Sequence, residues 1–288
     1  MGLVMGLVIG LVASPAMDTG SELLRASVAD GVGTIVSDNP DKHNALTADM
    51  FVAVSRVCAA FAADPEVRVV VLRGAGDRAF VSGADIAQLD RGDLRHPATG
   101  PTGGNGSGAR DGAGRAGLGG LFDLDKPVIA LIHGYCIGGG VMVALAADVR
   151  VCADDAQFGI PAAKLGVGYP HEATARLVAL VGPGQTAEIL FAARRIDAAE
   201  AARIGLVNRV VPKAELDGSV AQLAAEVADN APLSHVAHKR SIRAVTAALV
   251  DAAGPDVDDA IASAWRSDDF SEGARAFFER RTPEFRGR

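Results

Sequence analysis

Five short runs rich in valine and isoleucine punctuate the chain, at 32–36, 67–72, 128–132, 149–152 and 207–211, and helical patterns separate them. Apolar runs of this length, bounded by turn residues, read as strands buried on both faces. Between the first two, Leu46, Met50, Val54, Val57 and Phe61 recur three or four residues apart, the spacing of one helix face. Asp64-Pro65 then stops that helix. Further helical patterns cover 172–181, 185–191, 198–204, 216–228 and 233–250. Strands and helices in alternation predict an α/β fold. Beyond Val211 the pattern is helical only, so that tail must pack on the main body or on a neighbouring subunit.

With 288 residues, 49% of them apolar, the chain can bury a large core. Aromatic residues make up only 5%, so alanine, valine and leucine have to fill the interior. A net charge of −7 leaves no basic field for a nucleic acid, although a local patch for one phosphorylated ligand is still allowed. Cys58, Cys136 and Cys152 have neither the number nor the spacing of a disulfide framework or a zinc site, which fits a reducing cytoplasm. The histidines show no metal-ligand spacing either, so no metal is expected.

Two segments differ in kind from the rest. Residues 1–16 open with an apolar run that lacks a preceding Lys or Arg and is too short to span a bilayer. They read as a dispensable extension ahead of a core at 17–211 rather than as an export signal. No other segment approaches the ~20 apolar residues of a membrane helix. Residues 98–120 hold ten glycines among Ser, Asn, Asp and Arg, a composition that reads as a flexible insertion in the core. It lacks the GxxxxGK[ST] phosphate-loop pattern, and both a lid over a site and an inert loop fit it. A helical region, 212–288, completes the chain.

The chemistry lies in two glycine-bearing stretches, 80–86 (FVSGADI) and 133–140 (HGYCIGGG). Each follows an apolar β-branched run and leads into a helix. A strand that ends in small residues and turns into a helix leaves amides without partners at the helix start. Two such amides converging on one point make an oxyanion hole for a carbonyl oxygen that gains negative charge.

These stretches resemble the crotonase superfamily, the enoyl-CoA hydratase/isomerase fold. So do 39–46 (NPDKHNAL), 156–161 (AQFGIP), 198–208 (AAEAARIGLVN) and 277–285 (FFERRTPEF), all in the family's order. The resemblance implies a crotonase (ClpP-like) α/β fold, a spiral of ββα units with a C-terminal helical region that forms subunit contacts. A homotrimer or a hexamer follows from the same likeness. It implies an acyl-CoA thioester as substrate, with no cofactor beyond the coenzyme A that the substrate carries. Carried over by position, the N–H groups of Ala84 and Gly139 would grip the thioester oxygen. Ser82, Asp85 and Ile86 would line the adenine side, Lys42 would lie near the diphosphate, and Arg280 or Arg281 would meet the ribose phosphate.

The chain departs from the family where the hydratases keep two glutamates. Those positions are Met142 and Ala162, which cannot hold or activate a water. Hydration by the usual pair is therefore not expected, and Met142 is expected to pack against the acyl chain or the core. Tyr169, His171 and Glu172, in the segment 164–172 (KLGVGYPHE), are the candidate replacements. Tyr169 resembles a tyrosine of the superfamily's methylmalonyl-type decarboxylases, although those carry a histidine where this chain has Ala84. His171 also reads as a surface residue, Glu172 as an acid in a first helical turn, and Asp85 as a helix starter. Isomerisation, decarboxylation and thioester hydrolysis all stay open, beside a non-catalytic acyl-CoA-binding protein that kept the fold.

Overall fold

The valine runs form a sheet covered on both sides. In the computed structural model, which describes residues 17–90, 118–251 and 255–288, six strands pair side by side. Their order is β1 (Leu24–Ala29), β2 (Val32–Ser37), β3 (Val69–Gly74), β5 (Val128–Ile132), β7 (Val149–Ala153), β10 (Arg209–Val211). β1 and β2 are antiparallel and the other neighbours are parallel. Along β3 and β5, Val70, Leu72, Val128, Ala130 and Ile132 face the main core, which also takes up α1 (Ala48–Ala63). The alternate residues Val69, Val71, Ile129 and Leu131 face a second core closed by Leu216, Val220 and Ala224 of α7 (Leu216–Asp229). Each such side chain contributes about 1.5–3 kcal/mol by full burial, so neither face has room for the polar half of an alternating pattern.

A second, smaller sheet is built from strands of two or three residues, in the order β4 (Ala79–Val81), β6 (Tyr135–Ile137), β8 (Gln157–Gly159), β9 (Ile196–Asp197). The two sheets are threaded together by a repeated ββα unit. β3 enters the large sheet, β4 the small one, and α2 (Ile86–Asp90) follows. β5, β6 and α4 (Gly139–Ala146) repeat the path, as do β7, β8 and α5 (His171–Ala192). The family-based expectation of a ββα spiral with C-terminal helices is met. α5 breaks at Gly182 (φ 78°) ahead of Pro183, where the sequence pattern also falls into two helices. α3 (Gly119–Asp123), α6 (Ala198–Arg203), α8 (Pro232–Asp251), α9 (Pro255–Arg266) and α10 (Asp268–Glu279) complete the chain.

One boundary differs from the sequence reading. The extension 1–16 and most of the insertion 98–120 lie outside the described residues, but the insertion ends earlier than its glycines suggest. Leu118 is buried, and Gly119 and Gly120 already belong to α3, where Gly120 sits against Ser55 and Cys58 of α1. α7, the first helix of the tail, packs on the main body and seals the outer face of the sheet. From α8, the buried Lys239 ammonium reaches back to the Lys126 carbonyl and the Asp148 carboxylate, both at 2.7 Å.

After α10 the chain folds back on that helix. The Glu272 carboxylate accepts from the Arg281 guanidinium at 2.5 and 2.9 Å and from the Glu284 N–H at 3.0 Å. The Arg281 hydrogen bonds hold its pKa down to about 2, against an ordinary 4.5. The folded pKa is the lower one, so this contribution is complete above about pH 4.5 and is lost as pH falls toward 2. An acid titration followed at the Glu284 amide by NMR is expected to show the tail releasing in that window. Glu272→Gln should remove the step; an unchanged titration in the variant would show that another group controls the tail.

Candidate active site

β4 and β6 are parallel neighbours in the small sheet, so their C-terminal ends lie side by side. The chain leaves β4 through Ser82, Gly83 and Ala84 into α2, and leaves β6 through Gly138 into α4. At the first turn, the Leu46 N–H donates to the Gly83 carbonyl and the Asp85 N–H donates to the Leu46 carbonyl, both at 2.8 Å. In such a parallel bridge the residue between, Ala84, directs its own N–H to the opposite side. At the second turn, Gly138 takes φ 55°, ψ −110°, a conformation that needs glycine. Gly139 then opens α4, with its N–H at the positive end of the helix.

The two amides are neighbours. A β-carbon built on Gly139 would stand 3.3 Å from the Ala84 nitrogen, and one built on Gly83 would stand 3.9 Å from the Gly139 nitrogen. Among the described residues, neither N–H has a hydrogen-bond acceptor. Both residues are half-buried, and a helix start leaves its amides without partners inside the helix; two such donors side by side are the feature of this site that suits a ligand oxygen.

The rim residues of the first stretch also come together. The Lys42 ammonium lies 2.6 Å from the Asp85 carboxylate, which is 6% exposed. The other Asp85 oxygen accepts from the Ala87 N–H at 3.0 Å and so caps the start of α2, whose first residue is Ile86. The Ser82 hydroxyl donates to the Lys42 carbonyl at 2.9 Å. Asp85 therefore has the structural role that was the plainer of its two readings, and it partly neutralises the lysine.

Asn44 belongs to the site's framework and was not singled out by sequence reasoning. It is 1% exposed, at φ 59°. Its side-chain amide donates to the Ala75 and Ala79 carbonyls and accepts from the Asn39 N–H, all within 3.0 Å. It thus pins the start of β4. The only signal in the sequence is that asparagine tolerates the left-handed region better than most residues.

On the opposite side, Met142 and Ala162 are partly buried and pack against the main core. The Tyr169 hydroxyl donates to the Gly138 carbonyl at 3.1 Å, and burial pushes its pKa further up. Its single proton is therefore directed at the main chain. His171 is the first residue of α5, and Glu172 pairs with Arg176 one turn on, at 3.3 Å. Arg281 is engaged by Glu272 and Glu279, and Arg280 ends α10 in a left-handed conformation. Cys58, Cys136 and Cys152 are buried thiols whose pKa burial raises, to about 12 for Cys58 and Cys152, so they are not nucleophiles. Among the described residues no cluster suits a metal ion, and no helix is long and apolar enough to cross a membrane.

The chain is similar along nearly its whole length to proteins already characterised by sequence or structure. A family model described as enoyl-CoA hydratase/isomerase matches residues 27–288. A carnitinyl-CoA dehydratase of Salmonella typhi is 37% identical over 272 residues, covering 93% of this chain and all of that one. A solved enoyl-CoA hydratase from Mycobacterium avium subsp. paratuberculosis K-10 superposes with a TM-score of 0.76 at 30% identity, over 92% of this chain and 98% of that one. A carnitinyl-CoA hydratase from Mycobacterium avium does so at 0.77 and 30%, over 93% of this chain and all of that one.

Proposed function

The chain belongs to the enoyl-CoA hydratase/isomerase family, and we propose that it binds an acyl-CoA thioester and polarises its carbonyl between the Ala84 and Gly139 amides. The observation that carries this reading is the pair of adjacent N–H groups without acceptors. When a proton or a carboxyl group leaves the carbon next to a thioester, charge moves onto the carbonyl oxygen as an enolate forms. Two fixed donors and the end of α4 stabilise that charge with no reorganisation at the moment of reaction. The relatives' names carry CoA thioesters, in keeping with such a substrate. Ser82 and Ile86 are assigned to the adenine side, and Lys42 to the phosphates with its charge reduced by Asp85. Coenzyme A enters only as part of the substrate.

The reaction we assign is of lyase or isomerase type, without two-carboxylate hydration. Met142 and Ala162 stand where hydratases of the family hold their water, and neither exchanges a proton. His171 and Glu172 remain as proton carriers at the start of α5. A second reading, an acyl-CoA-binding protein without turnover, draws on the same two apolar residues and on the Tyr169 proton being directed at the main chain. In either case we assign a cytoplasmic homotrimer or hexamer. Leu233, Ile242 and Val245 of α8, 66–82% exposed, are the apolar side chains such an assembly would cover.

A panel of crotonyl-, carnitinyl-, methylmalonyl- and saturated acyl-CoA tests this. The expected result is tight binding of CoA esters, turnover of at least one of them, and little hydration of crotonyl-CoA. Binding without any turnover selects the second reading. Crotonyl-CoA hydration at rates usual for hydratases refutes the exclusion of hydration, and failure to bind any CoA ester refutes the proposal as a whole.

A further inference from the structure

The Gly138 carbonyl and the Gly139 N–H are the two ends of one peptide group. At one end the N–H faces the candidate carbonyl site without an acceptor. At the other, the carbonyl oxygen accepts twice: from the Met142 N–H at 3.2 Å, the first bond of α4, and from the Tyr169 hydroxyl at 3.1 Å. The Gly138 N–H is held separately, by the Gly159 carbonyl at 2.8 Å. Glycine's own backbone does not confine Gly138 to ψ −110°, so these hydrogen bonds hold the peptide there. Among the described residues, the side chain that helps to fix the plane of this peptide is the tyrosine, beside the first bond of α4.

We infer that Tyr169 is a positioning residue that orients and polarises the Gly138–Gly139 amide, so that the Gly139 N–H is a stronger and better aimed donor to the thioester oxygen. A hydrogen bond received at an amide oxygen draws electron density toward it and leaves the N–H more positive. Such chains strengthen each member by about 10–30%. The hydroxyl stays protonated, because burial and the neighbouring Cys136 thiol both raise its pKa. Tyr169 is itself set by the C-terminal helices. The Trp265 indole N–H of α9 donates to the Gly168 carbonyl at 3.0 Å, and a β-carbon on Gly168 would stand 3.0 Å from the Ile261 Cα. A line of contacts therefore runs from α9 through the 166–170 loop to the amide donor.

The inference rests on Gly139 being the donor of the proposed function, and the test separates the two. The probe is an aryl-acryloyl-CoA, whose conjugated chromophore shifts to the red when its carbonyl is polarised. Wild type is expected to bind it with a clear red-shift. Tyr169→Phe should bind within about threefold of wild type and melt normally, with at most half the red-shift and kcat about tenfold lower at similar KM, the scale of one lost hydrogen bond. Trp265→Phe, which keeps an aromatic ring beside Phe270 and removes the indole donor, should give an intermediate shift. A full red-shift in Tyr169→Phe overturns the role of Tyr169 while leaving the amide site intact. A full shift in Trp265→Phe alone removes α9 from the inference. Wild type binding the probe with no shift at all overturns the amide site and this inference together.

Discussion

The Gly139→Pro variant is expected to turn over its acyl-CoA substrate about 10²–10³-fold more slowly, the usual loss for one oxyanion donor, with the fold preserved. Position 139 is the first residue of α4, where proline is well tolerated because the missing N–H has no partner inside the helix. No acceptor elsewhere among the described residues loses a bond. Proline also adds carbon close to the Ala84 nitrogen, and Gly139→Ala controls for that. Alanine keeps the N–H and places its β-carbon 3.3 Å from the Ala84 nitrogen and 3.4 Å from the Gly83 carbonyl carbon, tight enough to cost part of the activity but not the donor. The measurement is kcat and KM on whichever ester the panel identifies, beside a thermal melt. A loss in kcat at nearly constant KM locates the interaction in the transition state. If Gly139→Pro retains a third or more of wild-type kcat, the amide pair is not the source of catalysis.

Much of this site was legible in sequence because its chemistry is carried by backbone, and backbone geometry is written in glycines. The runs at β3 and β5 were equally plain, since a strand buried on both faces has no polar half to blur it. β4, β6 and β8 were not seen. Three residues are too few for any period to show, and their Ala, Ser and Gly neighbours read as turn. β1 escaped for a different reason. It is an edge strand in which Arg25 and Ser27 interrupt the apolar residues. Side-chain partners across long separations were also illegible. The family likeness places Lys42 and Asp85 each toward the coenzyme A portion of the substrate, but no local pattern shows that they also pair with each other. The same likeness places Arg280 or Arg281 at a phosphate, and the Glu272 partner of Arg281 is equally invisible in the local pattern. Tyr169 stood out as chemically unusual, but its partner depends on where α9 sets the 166–170 loop, which no local pattern encodes.

Gly140→Ala should damage stability and activity together, and the contrast with Gly139→Pro is what makes the pair informative. A β-carbon at Gly140 would lie 2.0 Å from the Val81 carbonyl oxygen and 2.9 Å from its carbon. Both atoms are backbone of β4, which is paired to β6, so no rotamer can absorb the collision. α4 would have to withdraw by roughly 1.4 Å to bring that 2.0 Å contact to an ordinary van der Waals distance. Overpacking costs typically about 1–3 kcal/mol, and a backbone contact of this depth belongs at the upper end. At about 2–4 °C per kcal/mol for a chain of this order of size, the melting temperature is expected to fall by about 6–12 °C. The same withdrawal carries the Gly139 N–H away from that of Ala84, and a misplacement of ~1 Å can lower turnover by about 10²-fold. Gly218→Ala, on α7 where no atom lies within 4 Å of the added carbon, should be neutral or raise stability by about 0.4–1 kcal/mol. A Gly140→Ala protein that melts with wild type and keeps its turnover would mean that α4 and β4 are not in the close contact that brings the two amides together.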